Sequence, residues 1–299
     1  MEKPPERVVF LFRINVYNYD MENESKLNFA EQGLIIEKDR VLTYSKLVCP
    51  LECKYCFVEA LNNNQQKRVA YLSEEQMSLL SQLPSEVRTI MLGCDTEFLQ
   101  NREEALSVLE KLVVLGKNIS IITKLTPDID FIEKLKIFSQ RLSEQGNVLT
   151  FSISIPCIDS SSAWEPKVPT PDRRIESLNK ASESGLPCMV AVRPLIPNLN
   201  RSEIDYIIDN THESVFGYYS GPLYLKKTDE ESLSLINLSD PNLLVEEIQP
   251  DWMPPGNVFL KIENKELMDY LKSKAAEFNK PVFEGAADGI DFLLNKNNG

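Results

Sequence analysis

Three cysteines lie close together in the chain, at Cys49, Cys53 and Cys56, in a CxxxCxxC pattern. Thiolates at this spacing can bind one inorganic centre, and iron–sulfur clusters are held by cysteine thiolates, usually four to a cubane. Three closely spaced ligands without an obvious fourth indicate a four-iron cluster with one iron left open. An open iron can bind a substrate or a cofactor.

A zinc site and a group of unrelated thiols are the two alternatives for this cysteine pattern. A zinc site needs four ligands, commonly as paired CxxC or Cys/His groups. The other cysteines, Cys94, Cys157 and Cys188, lie far apart in the sequence, and His212 is its only histidine. Unrelated thiols are the second alternative because cysteine is common in protein cores. So tight a group seldom arises by accident, and the iron–sulfur interpretation is therefore preferred.

The cysteine segment, with the aromatic Tyr55 just before its last cysteine, resembles the signature of the radical S-adenosylmethionine (radical SAM) superfamily. The resemblance implies a [4Fe-4S] cluster ligated by Cys49, Cys53 and Cys56, whose open iron chelates the amino and carboxylate groups of SAM. It further implies that an electron from the cluster cleaves SAM to a 5′-deoxyadenosyl radical, and that a flavodoxin or ferredoxin-type protein donates the electron.

Further segments, taken in order over about residues 40–200, resemble the spore photoproduct lyase-like branch of that superfamily. Each is weak alone, but the ordered set is specific. The segments are GCDTE at 93–97, TK at 123–124, FSISI at 151–155, WEP at 164–166, TPDRR at 170–174 and VRPLIPNLN at 192–200.

The first of these segments contains the predicted catalytic residue. In the lyase, a cysteine at the end of the second barrel strand donates the hydrogen that quenches the product radical, and Cys94 occupies the corresponding place. Cys157 is a second candidate, whereas Cys188 starts a strand and is expected in the core. Gly93 permits close backbone approach. Glu97, in competition with Asp95, is expected to accept hydrogen bonds from the SAM ammonium group.

Six other side chains are predicted to bind the cofactor or the substrate. Lys124 is expected to meet the SAM carboxylate as a compact cation. Ser154 is expected to donate to the same carboxylate or to the ribose, and Glu165 to contact the nucleoside or order its loop. Arg193 can bind a substrate carboxylate or phosphate with two hydrogen bonds. One of the aromatic rings of Tyr55 and Phe57 is expected to lie along the adenine.

The elements that position these residues form an alternating pattern. Strands are predicted at 6–16, 34–37, 40–48, 87–92, 119–123, 148–155, 188–193 and 215–219, and helices at 74–82, 102–115, 127–144, 171–184 and 202–210. Strands alternating with helices indicate βαβ units and a parallel sheet. We therefore predict an α/β fold, a partial (β/α)6 barrel with an N-terminal strand extension and a C-terminal cap. Chemistry in parallel barrels lies at the carboxyl ends of the strands, where these candidate residues fall.

Three regions are predicted on this basis. Residues 1–39 form the N-terminal strand extension, 40–227 the barrel core, and 228–299 a C-terminal region. Within the last region, residues 228–257 are acidic, contain four prolines and show no clear period, so a covering loop is expected there, with an ordinary solvated surface segment as the alternative. A helix at 265–279 and a strand at 281–285 are expected to follow.

Composition restricts the class of partner. The chain has 299 residues, 42% of them hydrophobic, and a net charge of −13. The negative charge of an acidic protein repels the phosphates of nucleic acid, which counts against DNA or RNA as a partner. No run approaches the roughly 18 apolar residues that a membrane span needs, and the first residues lack the apolar core of a signal peptide. We predict a cytoplasmic protein, since six cysteines with half of them in one motif favour a reducing compartment.

The sequence therefore predicts a radical SAM enzyme, of lyase or oxidoreductase type, that acts on a small molecule or a peptide. Three alternatives stay open: a DNA photoproduct lyase-like repair enzyme, a ribosomal-peptide-modifying enzyme, and a non-enzymatic iron–sulfur or zinc protein. A DNA lyase needs a basic strip along the barrel mouth. A peptide-modifying enzyme should offer a groove or an edge strand for an extended peptide.

Overall fold

The structure, a computed structural model, describes residues 29–45, 47–61, 70–250 and 256–297. The predicted strand at 6–16 lies outside them. The described strands are β1 (Leu34–Glu37), β2 (Arg40–Thr43), β3 (Thr89–Leu92), β4 (Asn118–Thr123), β5 (Leu149–Ser154), β6 (Cys188–Val192), β7 (Gly217–Ser220), β8 (Leu223–Lys226), β9 (Leu243–Ile248), β10 (Phe259–Asn264) and β11 (Val282–Phe283).

One eight-stranded sheet forms the centre of the fold, in the order β1-β2-β3-β4-β5-β6-β7-β11. Strands β2 to β7 are parallel and follow one another in chain order. Strand β11 adds in parallel beyond β7, and β1 pairs antiparallel with β2 at the opposite edge. The six predicted barrel strands are thus confirmed, and the sheet is that of a partial (β/α)6 barrel.

Helices connect the parallel strands, as the alternating pattern predicts. They are α1 (Glu74–Leu80), α2 (Arg102–Val113), α3 (Ile129–Ser143), α4 (Ser161–Trp164), α5 (Pro171–Glu183), α6 (Arg201–Asp209), α7 (Glu230–Leu233), α8 (Lys265–Glu277) and α9 (Ala286–Asn297). Local sequence sets where they begin. Ser73 and Gln76 form a reciprocal capping box at the start of α1. Asp128 caps α3, and a proline occupies the first turn of α5.

The two faces of the barrel strands differ in chemistry. Ile121, Phe151 and Ile153 belong to the large apolar core that includes the surrounding helices. Because side chains alternate along a strand, the intervening Ser120 and Ser152 point to the opposite, inner face of the sheet. The helices are therefore held by apolar contact outside the barrel, while the inner face carries these serines together with a smaller apolar cluster that includes Ile122 and Met189.

The C-terminal region differs from the expectation of a covering loop at 228–257. Helix α7 and strand β9 lie within that segment, and β9 pairs with β10 in a separate antiparallel sheet of order β8-β10-β9. The loop prediction was wrong because β9 is largely exposed and shows no hydrophobic alternation. The segment becomes a strand because it pairs with β10, for example with Val245 opposite Ile262. The predicted helix at 265–279 and strand at 281–285 correspond to α8 and β11.

Helix α9 was not predicted and packs at the amino ends of the strands. Asp291 of α9 pairs with Arg88, just before β3, at 3.0 Å. Gly289 lies so close to Met189 of β6 that an added Cβ would approach its sulfur to 2.5 Å. The helix thus closes the base of the barrel and leaves the carboxyl end of the sheet as its mouth. The three predicted regions of the chain stay a prediction.

Candidate active site

The predicted site residues follow the carboxyl ends of successive strands, at the mouth of the barrel. The cysteine segment follows β2, Gly93 to Glu97 follow β3, Lys124 follows β4, Ser154 ends β5 with Glu165 in the loop beyond, and Arg193 follows β6. In a parallel barrel these ends meet at one face. Chain segments more than one hundred residues apart therefore lie side by side.

The three cysteines occupy one loop at the mouth. Cys49 and Cys53 are half-buried and Cys56 is exposed. The Cys56 amide donates to the Cys53 carbonyl at 3.0 Å. Burial raises the pKa of the Cys53 thiol to about 12, an effect that the nearby Lys124 charge opposes. Metal binding must therefore supply the free energy that deprotonates this thiol.

The donor set of this loop is entirely sulfur. Within the described residues, no group of three or more histidine, cysteine or acidic side chains is arranged to hold a metal ion. Iron–sulfur clusters are held by cysteine thiolates, so the chemistry of three thiols in one loop fits a [4Fe-4S] cluster, with Cys49, Cys53 and Cys56 as its predicted ligands.

Gly93 begins the loop after β3 in a conformation that requires glycine. Its φ is +88°, and an added Cβ would overlap the carbonyl oxygen of Ile122 in the adjacent strand β4. Its amide donates to the Tyr71 hydroxyl at 2.6 Å. The next residue, Cys94, is half-buried with its sulfur 3.4 Å from the Met91 carbonyl oxygen. Burial raises the pKa of this thiol to about 12, which keeps the S–H bond that a hydrogen donor needs.

Glu97 is buried and fastens the β3 loop to the end of β4. Its Oε1 accepts from the Thr123 hydroxyl at 2.6 Å and from the Leu99 amide at 3.2 Å, and its Oε2 accepts from the Lys124 amide at 2.9 Å. Burial raises the pKa of this carboxyl, and these hydrogen bonds oppose the rise. A hydrogen bond from the SAM ammonium group to Glu97 stays a prediction. The ammonium group would be a fourth donor to carboxylate oxygens that already accept three hydrogen bonds.

Thr96, which the sequence did not single out, is a further candidate in this loop. It is 4% exposed, and its hydroxyl has no hydrogen-bond partner among the described residues. A buried polar group is usually paired, so an unpaired one calls for a ligand or a water. The competing Asp95 accepts from the Ser45 hydroxyl at 3.1 Å. Spacing alone could not distinguish these neighbours.

Glu165 lies at the centre of a buried polar network. Tyr55, from the cysteine loop, donates its hydroxyl to Glu165 Oε1. Arg174 Nη2 pairs with Oε2 at 2.6 Å, and Lys124 Nζ lies 3.3 Å from Oε1. Burial raises the pKa of the carboxyl, but the Lys124 and Arg174 charges, together with the hydrogen bonds from Tyr55 and Arg174, outweigh it, so the pKa lies below the ordinary glutamate value. Glu165 is thus an ionised acceptor that ties the cysteine loop to the barrel.

Arg174 belongs to the TPDRR segment, but the sequence alone assigns it no role. It is fully buried, and its Nη1 also donates to the Ser154 carbonyl at 2.5 Å. The available signal was helical period, because Arg174, Leu178 and Ala181 share one face of α5. An arginine on an apolar helix face requires a buried acidic partner, which Glu165 provides.

The remaining predicted residues divide into two groups. Lys124 Nζ donates to the Ser154 hydroxyl at 2.5 Å and lies 5.3 Å from the Tyr55 ring centroid, so these three join the Glu165 network. Arg193 is exposed, and its Nη1 donates to the Glu284 carbonyl at 2.8 Å. Phe57 packs in a separate cluster with Phe259 of β10. The structure therefore places Phe57 against the second sheet and Tyr55 in the network.

The other two cysteines outside the loop are buried. Cys157 follows β5, and burial raises the pKa of its thiol to about 12. Cys188 begins β6 in the apolar core, where its sulfur donates to the Leu186 carbonyl at 3.2 Å. Cys94 is thus the more accessible thiol of the two hydrogen-donor candidates.

Comparison with known proteins identifies the family of the chain. The profile of the radical SAM superfamily matches residues 46–210, more than half of the chain. The chain belongs to the radical SAM superfamily. A search of curated proteins found no significant sequence match.

Several solved structures share the fold. A spore photoproduct lyase variant superposes with a TM-score of 0.58 at 12% identity, covering 78% of this chain and 72% of the lyase. Another variant, with bound AdoMet and dinucleoside spore photoproduct, gives 0.56 at 13% identity over 78% and 72% of the two chains. Streptococcus suis SuiB bound to the precursor peptide SuiA gives 0.47 at 16% identity over 64% and 41%. At these identities the likeness to the lyase shows the fold.

Membership of the superfamily assigns the cofactors. Radical SAM proteins use a [4Fe-4S] cluster and SAM, so this chain is a radical SAM enzyme with that pair of cofactors. Among the described residues, no helix is long and apolar enough to cross a membrane.

Proposed function

We propose that this enzyme reductively cleaves SAM and uses the radical to abstract hydrogen from a small molecule or a peptide. When bound, the cluster and SAM supply the electron transfer and the 5′-deoxyadenosyl radical. The observation that carries the proposal is the position of the cysteine loop, which the Tyr55 hydroxyl fastens to Glu165 at the barrel mouth. The predicted cluster ligands and the predicted SAM-binding side chains thereby lie at the same end of the barrel, at the carboxyl ends of its strands.

The chain's own residues position the reactants in this proposal. Cys49, Cys53 and Cys56 hold the cluster at the rim. Lys124, whose side chain is 18% exposed, meets the SAM carboxylate with a charge-assisted hydrogen bond. The unpaired hydroxyl of Thr96 lies in the loop expected beside the SAM amino group. These contacts fix the orientation of SAM.

The substrate class rests on charge. The net charge of −13 disfavours a polyanionic partner, so a small molecule or a peptide is the preferred substrate. Arg193, exposed at the end of β6, is the side chain placed to bind a substrate carboxylate. A flavodoxin or ferredoxin-type protein is the proposed electron donor.

A DNA lyase is the second candidate function. Its support is the fold likeness to spore photoproduct lyase together with a half-buried thiol, Cys94, directly after β3. Binding of oligonucleotides containing the photoproduct decides between the candidates, because an acidic small-molecule or peptide enzyme should not bind them.

Anaerobic reconstitution with iron and sulfide tests the proposed reaction. We expect four irons per chain, and 5′-deoxyadenosine on addition of SAM and dithionite. Cys56→Ala should abolish both, whereas Cys188→Ala, which removes a thiol from the core, should retain the cluster. Absence of 5′-deoxyadenosine from cluster-loaded wild-type protein would refute the proposal.

Cys94→Ala tests the hydrogen-donor role separately. It should leave 5′-deoxyadenosine formation intact and change the product formed from the substrate. An unchanged product would remove Cys94 from the mechanism and leave Cys157 as the remaining candidate.

A further inference from the structure

Three charged side chains meet in the interior beside the cysteine loop. The side chains of Arg174 and Glu165 are completely buried, and that of Lys124 is 18% exposed. Removing charges from water is costly unless each is paired and hydrogen-bonded. Such a group therefore needs a reason beyond stability, since apolar residues could fill the same space.

The contacts of Glu165 are unequal. Arg174 holds Oε2 at 2.6 Å and is itself fixed to the end of β5 through the Ser154 carbonyl at 2.5 Å. Oε1 accepts from Tyr55. Lys124 lies farther from Oε1, at 3.3 Å, and makes its short contact of 2.5 Å with the Ser154 hydroxyl instead. Arg174 thus makes the shorter contact with Glu165, at 2.6 Å, and Lys124 makes a longer ion pair, at 3.3 Å.

A second carboxylate near Lys124 is also occupied. Glu97 accepts from the Lys124 amide, the Leu99 amide and the Thr123 hydroxyl, so three donors other than the Lys124 ammonium already satisfy it. The ammonium group therefore lies at the mouth beside Tyr55, between the cysteine loop and β5. An anionic ligand can reach it there.

We propose that Arg174 is a positioning residue that keeps Lys124 available for the SAM carboxylate by serving as the counterion of Glu165. This inference rests on the proposed function. Without Arg174, Lys124 is the nearest cation to a buried carboxylate and closes onto it. The existing 3.3 Å ion pair with Glu165 then shortens as the ammonium group leaves the Ser154 hydroxyl, and SAM must compete with Glu165 for it.

The test makes Arg174→Met in two backgrounds, the wild type and Glu165→Gln. In the wild-type background, Arg174→Met should weaken SAM binding to the cluster-loaded protein about tenfold, the scale of one charge-assisted hydrogen bond. In the Glu165→Gln background, the same substitution should weaken it little further, because no carboxylate remains to capture Lys124. Unchanged affinity in the wild-type background, or an equal loss in both, overturns the proposal, since a purely structural role of Arg174 does not depend on the charge of Glu165.

Two further measurements keep the test decisive. In a crystal structure of Arg174→Met without cofactors, Lys124 should leave Ser154 and approach Glu165; retention of the Ser154 contact overturns the proposal. Should Arg174→Met fail to fold, the double variant, which buries fewer charges, still tests the idea against Glu165→Gln alone: equal SAM affinity of the two supports it, and a further tenfold loss refutes it. Failure of the wild type to bind SAM would refute the proposed function, while the crystal structure would still report on Arg174.

Discussion

Gly93→Ala should destabilise the protein through two separable effects. The first is conformational, because a φ of +88° lies where side chains are disfavoured, at a cost of roughly 1–2 kcal/mol. The second is steric, because the new Cβ would overlap the Ile122 carbonyl oxygen and lie 3.1 Å from the Ile122 Cγ2 atom. Overpacking of this kind costs about 1–3 kcal/mol. The expected total loss is therefore about 2–5 kcal/mol.

Gly185→Ala is the matched control. Gly185 has nearly the same conformation, with a φ of +91°, and nothing lies within 4 Å of the position of an added Cβ. It should therefore lose only the conformational part, about 1–2 kcal/mol. The difference between the two variants isolates the close approach of β3 and β4.

Urea unfolding of the protein without cofactors, followed by circular dichroism, measures both losses. Gly93→Ala should show the lower midpoint with a similar denaturant slope. If it loses no more stability than Gly185→Ala, the close approach of the Gly93 backbone to Ile122 is not a constraint, and our account of the loop that carries Cys94 and Glu97 is wrong.

Three shorter predictions concern the buried polar groups. Glu97→Gln replaces an acceptor of three hydrogen bonds and should cost about 1–3 kcal/mol in urea unfolding; a neutral result would show that the carboxylate does not join β3 to β4. Thr96→Val should leave unfolding unchanged or raise its free energy, yet weaken SAM binding; equal SAM affinity removes Thr96 from the site. Because the folded-state pKa of Glu165 is lowered, its ionised form stabilises the fold above the ordinary glutamate pKa of 4.5 and loses that effect as pH falls through the lower folded value. The stability advantage of wild type over Glu165→Gln should therefore shrink on acidification below that pH, and a pH-independent difference would contradict this reasoning.

The parallel sheet could be predicted because each strand carries its own signal. The segments that became β4, β5 and β6 are short apolar runs between helices with clear starts and stops. The first barrel strand shows the limit of such signals: the strand predicted from residue 40 runs to residue 48, but β2 ends at Thr43. Beyond it, Ser45 bonds to Asp95 and the Tyr44 carbonyl accepts from Gln76. These tertiary contacts turn the chain out of the sheet toward the cysteines.

Strand β9 could not be predicted for a related reason. Its outward residues include Leu244 and two glutamates, so hydrophobic alternation is absent. Only pairing with β10, which begins after residues 251–255, makes it a strand. A pattern within one segment contains no information about a partner that lies elsewhere in the chain.

The candidate site likewise contains residues that a single segment could indicate and contacts that depend on distant parts of the chain. The cysteine spacing and the strand-end positions of Lys124 and Ser154 belong to single segments, so the sequence was enough to select them. The bond between Tyr55 and Glu165 joins residues 110 positions apart, and the ion pair with Arg174 depends on which face α5 presents to β5. Because the position of the Lys124 ammonium group depends on these long-range partners, its availability to a ligand follows from the fold. The residue that governs it, Arg174, lies within the TPDRR segment, but that segment alone does not show that its partner is Glu165.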